Sequence, residues 1–235
     1  MSRIQMLAEK NLISPPKFLC SNVHYEVIAG SESYGVSSGG SDIDICGFCI
    51  PPKQDVFPHL RGEIPGFGKK KNRFEVWQQH HIKDGEKEYD CVVYSIVRFF
   101  QLCMDNNPNM LDYLFTPQRC VLHCTRIAGM VREKRKIFLH KGCWHKFKGY
   151  AYSQLHKMDI KNPKGKRKES VEKWGFDVKF AYHVVRLLLE VEIILVEQDL
   201  QIDRNREILK AIRRGEWSKD KHYFLFRYIE PVRSP

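Results

Sequence analysis

Residues 29–45 read AGSESYGVSSGGSDIDI. The chain leaves a strand-like run, Tyr25-Glu26-Val27-Ile28-Ala29, crosses a loop of glycines and serines, and enters a second strand-like run at residues 43–50, with Asp42 before it and Asp44 inside it. Such a loop is too polar for a core and too tight for a linker. Strand alternation puts Asp42 and Asp44 on one face and turns Ile43 and Ile45 the other way, into the core. Carboxylates that close repel unless a cation lies between them, and hard oxygen ligands favour Mg²⁺ or Mn²⁺. An exposed edge strand with two solvated aspartates has the same spacing, so the loop is what points to a ligand. Glycines at 30, 35, 39 and 40 permit close backbone approach, and free N–H groups with the hydroxyls of Ser31 and Ser41 suit a phosphate. The loop lacks the Gly-Lys-Ser/Thr ending of a P-loop, and an EF-hand starting at Asp42 would need an oxygen ligand at Cys46 and a glutamate at Lys53.

Outward from this loop, residues 53–73 read as an excursion rich in proline, glycine and lysine. Residues 74–81 and 88–93 are strand candidates joined through Asp84-Gly85, a hairpin signal. Helical spacing follows at 95–104, with a short helix at 110–115 and further helices over 126–139, 143–158, 173–198 and 203–214. The expected class is α+β: a small mixed or antiparallel sheet with helices at residues 1–125, then a basic helical domain at 126–235 packing on it and closing a nucleotide cleft.

The 235 residues suffice for a sizeable core, and the net charge is +11. Lys and Arg balance Asp and Glu at 14 each over residues 1–130, whereas residues 131–235 hold 25 against 14. An excess placed in that way attracts polyanions, nucleic acid or a nucleoside triphosphate first among them, although basic surfaces also occur without a ligand. No apolar run is long enough to span a bilayer, and residues 1–10 do not read as a secretory signal, so a cytoplasmic location and no membrane partner are expected. The eight cysteines fall mostly in apolar runs and read as reduced core thiols. Cys46 and Cys49 point to opposite faces of a strand, which argues against zinc there, and Cys120, His123 and Cys124 lack a fourth ligand.

The pattern apolar-Gly-Ser, ten residues, Asp-x-Asp resembles the signature of the DNA polymerase beta-like nucleotidyltransferase superfamily. Four further stretches narrow the resemblance: Tyr94-Ser95 with Arg98-Phe99-Phe100-Gln101-Leu102, Asn107-Pro108-Asn109-Met110-Leu111-Asp112, Phe147-Lys148-Gly149-Tyr150-Ala151, and the run from Phe176 to Leu188. Together they are similar to the predicted nucleotidyltransferase branch associated with RNA repair in bacteria and their phages. The resemblance spans residues 25–200. It implies a minimal nucleotidyltransferase fold and transfer of a nucleoside monophosphate from a triphosphate, with pyrophosphate released. Gly30 and Ser31 would hold the triphosphate, and Asp42 and Asp44 two metal ions. A third carboxylate comes from a neighbouring strand: Asp90, with Glu88 as the alternative on the same face.

Lys179, His183, Arg186 and Glu190 follow one another at four, three and four residues, one stripe of a helix. A solvated polar face is the plain interpretation; with the resemblance, Lys179, His183 and Arg186 become candidates to contact phosphates. Trp144, His145, Lys148 and Tyr152 interleave aromatics with cations, which suits RNA or packing alike. Lys164, Lys166, Arg167 and Lys168 form the most purely electrostatic contact candidate. The expected partners are a nucleoside triphosphate and an RNA or tRNA end. Nucleotide transfer to a protein side chain uses the same catalytic residues, and an inactive RNA-binding module is the alternative from another class.

Overall fold

The computed structural model describes residues 1–37, 42–64, 66–68, 72–158 and 166–221. Among them, runs of alternating or continuous apolar residues form a five-stranded sheet from β1 (Val23–Ile28), β2 (Ile43–Cys49), β3 (Val76–Asp84), β4 (Lys87–Ser95) and β5 (Val121–Cys124). The strand order is β3-β4-β2-β1-β5; β2 and β4 are parallel and the other pairs antiparallel. The helices are α1 (Arg3–Glu9), α2 (Leu19–Asn22), α3 (Gly30–Ser33), α4 (Lys53–Val56), α5 (Ile96–Met104), α6 (Pro108–Phe115), α7 (Arg126–Glu133), α8 (Cys143–Met158), α9 (Lys166–Trp174), α10 (Val178–Glu197) and α11 (Arg206–Arg213). The class is α+β.

The hairpin signal holds: Asp84 pairs with Lys87 across a turn in which Gly85 takes φ +65°. Odd positions of β2 and β4 pack with α1 in a cluster of Ile4, Leu7, Ile45, Cys49, Tyr89, Cys91 and Val93. Tyr25, Phe48 and Phe99 stack on the opposite face, with ring centroids 5.5 and 5.1 Å apart, and seat α5 there. The carboxylate of Glu26, buried in β1, accepts the N–H groups of Arg3, 2.5 Å, and Ile4, 3.0 Å, at the start of α1. These two donors open the helix and have no intrahelical acceptor, so Glu26 completes the turn.

Two differences from the sequence reading concern helices. Residues 173–198 do not form one helix: α9 ends at Trp174, Gly175 takes φ +79°, and Asp177 caps α10 by accepting the N–H groups of Lys179 and Phe180. An αL glycine followed by a capping carboxylate separates two helices with little intervening chain. Residues 126–139 likewise divide, with α7 followed by a 3₁₀ turn at Arg135–Phe138.

The chain falls into two compact units. The first comprises Met1–Ser33, Ser37–Met104 and Met110–Arg135 and contains the sheet. The second comprises Tyr34–Val36, Asp105–Asn109 and Lys136–Pro235; its centre is α10, packed on α8 and α11. No helix among the described residues is long and apolar enough to cross a membrane.

Candidate active site

Where β1 ends, Ala29 donates its N–H to the Asp44 carbonyl, 2.8 Å. The next residue, Gly30, takes φ +65°, and a β-carbon there would overlap the Asp44 carboxylate. Glycine is required on both counts. The turn of α3 is closed by Ser33 Oγ donating to the Gly30 carbonyl, 2.8 Å. Ser31 is half-buried and, with Ala29, Glu32, Ser37 and Asp42, lines a cavity of about 170 Å³. A larger cavity, about 790 Å³, opens past the far ends of β2 and β4 and is lined by Pro51, Arg73, Glu75, Ser95 and Arg98; Gly30, Ser31, Asp42, Asp44 and Asp90 do not line it. Of the candidate site residues, the smaller one takes in Ser31 and Asp42.

The parallel ladder sets Asp44 beside Asp90. Neighbours in register present their side chains to the same face of a sheet, so the two carboxylates share one face while the flanking pairs, Ile43 with Tyr89 and Ile45 with Cys91, turn to the other. Asp44 and Asp90 are half-buried and Asp42, just outside β2, is exposed. Glu88 shares the face of Asp90, but its Oε1 lies 2.7 Å from His81 Nδ1.

Two histidines that the sequence reading did not single out attend Asp90. β3 bulges between Gln79 and Ile82, so His80 and His81 together oppose Asp90. His81, at φ +55°, donates its N–H to Asp90 Oδ1, 2.8 Å, while His80 Nδ1 lies 3.4 Å from Oδ2. The hydrogen bond with Glu88, and then the charge of Asp90, raise the His81 imidazole above its ordinary value. Counting back from the Asp84-Gly85 turn would have placed His81 opposite Asp90; the bulge that adds His80 leaves no local trace.

Among the described residues no three His, Cys, Asp or Glu side chains are gathered closely enough to form a metal site. The donor chemistry nonetheless suits a hard divalent cation: Asp44 and Asp90 are neighbouring carboxylates on one face, Asp42 is two residues upstream, and Gly30 leaves the Asp44 carboxylate room that any side chain would take.

In the second unit the predicted helix stripe has three different environments. Lys179 is exposed, His183 half-buried, and Arg186 and Glu190 are buried. The Arg186 Nη1 donates to both Glu190 oxygens, 3.0 and 2.9 Å, and its guanidinium lies 4.6 Å from the Tyr34 ring centre. Arg186 is therefore not on a solvated face: it is enclosed together with Glu190 and Tyr34. Arg213, which the sequence reading passed over, donates to the Val36 carbonyl, 2.7 Å, and sits 5.7 Å from the Tyr182 ring centre. Burial, with the charges of Arg186, Lys179 and Arg213, holds the His183 imidazole well below its ordinary value.

Of the nucleic-acid candidates, Tyr152 is exposed on α8, whereas Lys148 is half-buried with its ammonium 5.9 Å from the Trp144 ring centre. Lys166 and Arg167 open α9, and Lys168 is exposed with Nζ 3.7 Å from Glu172. Ser41 and Lys164 lie outside the described residues.

Residues 4–213 match the family described as RlaP, RNA repair pathway DNA polymerase beta family. Over 134 residues, 56% of this chain, the sequence is 27% identical to an uncharacterized 38.9 kDa protein in the nrdC-mobD intergenic region of Enterobacteria phage T4, of which the match covers 37%. A nucleotidyltransferase-like protein from Exiguobacterium sibiricum 255-15, known from its crystal structure, aligns with a TM-score of 0.36 at 6% identity, over 96% of this chain and 71% of that one.

Proposed function

The chain belongs to the RNA repair pathway DNA polymerase beta family, and we propose that it is a nucleotidyltransferase that transfers a nucleoside monophosphate from a nucleoside triphosphate to the hydroxyl of an RNA or tRNA end, releasing pyrophosphate. The observation that carries the reading is the pairing of Asp44 with Asp90 on one sheet face, with Gly30 against Asp44.

Asp42, Asp44 and Asp90 are the residues that would hold Mg²⁺ or Mn²⁺, which when bound acidifies the attacking hydroxyl and neutralises charge on the leaving pyrophosphate. Gly30 brings main chain close to the carboxylates, and the Ser31 hydroxyl, with that of Ser41, donates to phosphate oxygens. The His81 N–H fixes one oxygen of Asp90 and leaves the carboxylate with capacity to accept the proton of the attacking hydroxyl. In the second unit, the exposed Lys179 would contact phosphate, while burial and the nearby cations hold the His183 imidazole well below its ordinary value. Arg186 acts from inside, holding Tyr34 with Glu190 in support.

An RNA acceptor is favoured by the basic excess of residues 131–235 and by the pathway named in the family's description. The test incubates the protein with each labelled triphosphate, Mg²⁺ or Mn²⁺, and a pool of RNAs. Label entering RNA with pyrophosphate release, lost in Asp42→Asn, is the expected result; label entering protein instead overturns the acceptor. Neutralising Lys164, Lys166, Arg167 and Lys168 together should flatten the salt dependence of RNA binding.

A further inference from the structure

α8 buries Phe147, Ala151, Leu155 and Met158 and presents its other face to solvent. There His145, Lys146, Tyr152, Ser153, His156 and Lys157 are exposed, with Gly149 in their midst. His145, Gly149, Tyr152 and His156 follow at four, three and four residues and make a single stripe. From Cys143 to Met158, α8 has three Lys, two His and no Asp or Glu. A helix face of that composition attracts phosphate.

Gly149 is the position that demands an explanation. It lies inside a sixteen-residue helix, where glycine is among the least favourable residues. Among the described residues nothing requires it, since a β-carbon there would meet no atom within 4 Å. A notch one side chain deep, set between His145 and Tyr152, is useful only to something that presses on the helix from outside. Tyr152 is 52% exposed, and its ring meets His156 edge to face at 4.5 Å, a ready platform for a base.

We propose that this face of α8 docks RNA, with the sugar-phosphate backbone approaching the helix most closely at Gly149, its phosphates met by Lys146 and Lys157 and a base stacked on Tyr152. The inference rests on the RNA reading above and adds to it the surface that holds the acceptor.

The test exploits the fact that filling the notch should help the fold while harming the docking. Gly149→Ala and Gly149→Leu are compared in the full chain with the parent and with Gly129→Ala on α7, another helical glycine whose β-carbon would meet nothing within 4 Å. Both alanine variants should raise Tm. Only the Gly149 variants should weaken binding of a labelled RNA hairpin with a single-stranded tail, leucine more than alanine. Lys146→Gln with Lys157→Gln should lower the slope of log affinity against log salt by about 1.4, the value for two contacts to a single strand. If folded Gly149→Leu, or Gly149→Ala should leucine prevent folding, binds the hairpin as the parent does, this face is not the docking surface and the RNA reading stands. If the parent binds no RNA at any salt concentration, the RNA reading fails and this inference with it.

Discussion

The main chain of Gly30 lies against the Asp44 carboxylate so closely that a β-carbon on residue 30 would take the place of Oδ2. The loop and the first carboxylate strand are thereby matched to each other across a gap that only glycine leaves. Gly30→Ala should strain the left-handed backbone by about 1–2 kcal/mol and push Asp44 from its position beside Asp90. Nucleotide transfer per folded molecule should fall far more than stability does. Paired Tm and turnover measurements check this; an alanine variant with parental turnover would separate Gly30 from the chemistry.

Asp44→Asn and Asp90→Asn should keep the fold, since an amide fills the same space and removes mutual repulsion. Transfer should fall about 10²-fold or more, as for lost electrostatic stabilisation in a transition state. Glu88→Gln, which alters only the partner of His81, should retain most activity. Turnover of the three variants across a Mn²⁺ titration decides between Asp90 and Glu88 as the third carboxylate.

His183 yields a pH dependence of stability. Its folded value is well below 6.5, so between that value and about pH 6.5 the unfolded chain binds a proton that the folded chain does not. Stability should therefore fall as pH drops below about 6.5. His183→Gln should flatten that part of the profile, measured by urea unfolding at a series of pH values; an unchanged slope would mean the imidazole protonates freely in the folded protein.

Arg213→Ala removes the hydrogen bond to the Val36 carbonyl and the contact with Tyr182, at a cost of about 1–2 kcal/mol in stability. It also removes one of the three cations that depress His183, so the His183 imidazole should titrate at higher pH than in the parent. NMR titration of the ring protons reads that shift directly, and a merely structural contact would not move it.

The amino-acid sequence by itself determined what depends on neighbours along the chain. Period-two alternation marked the strand pair around the glycine loop and set Asp42 and Asp44 apart, and Asp84-Gly85 marked the β3–β4 turn, because those choices are made by local backbone sterics. It also set Asp90 and Glu88 on one face of β4, by the same alternation. What singled out the pairing with Asp44 was the parallel register, formed between residues 46 positions apart in the chain and invisible to any local pattern. The same holds for β5, four residues long, and for the bulge that brings His80 to Asp90. The helical stripe was legible as a periodicity, but periodicity reports only which side chains share a face. Whether that face meets water is decided by what packs over it, and in the second unit Tyr34 and Glu190 enclose Arg186 while Lys179, two turns earlier on α10, is left in solvent.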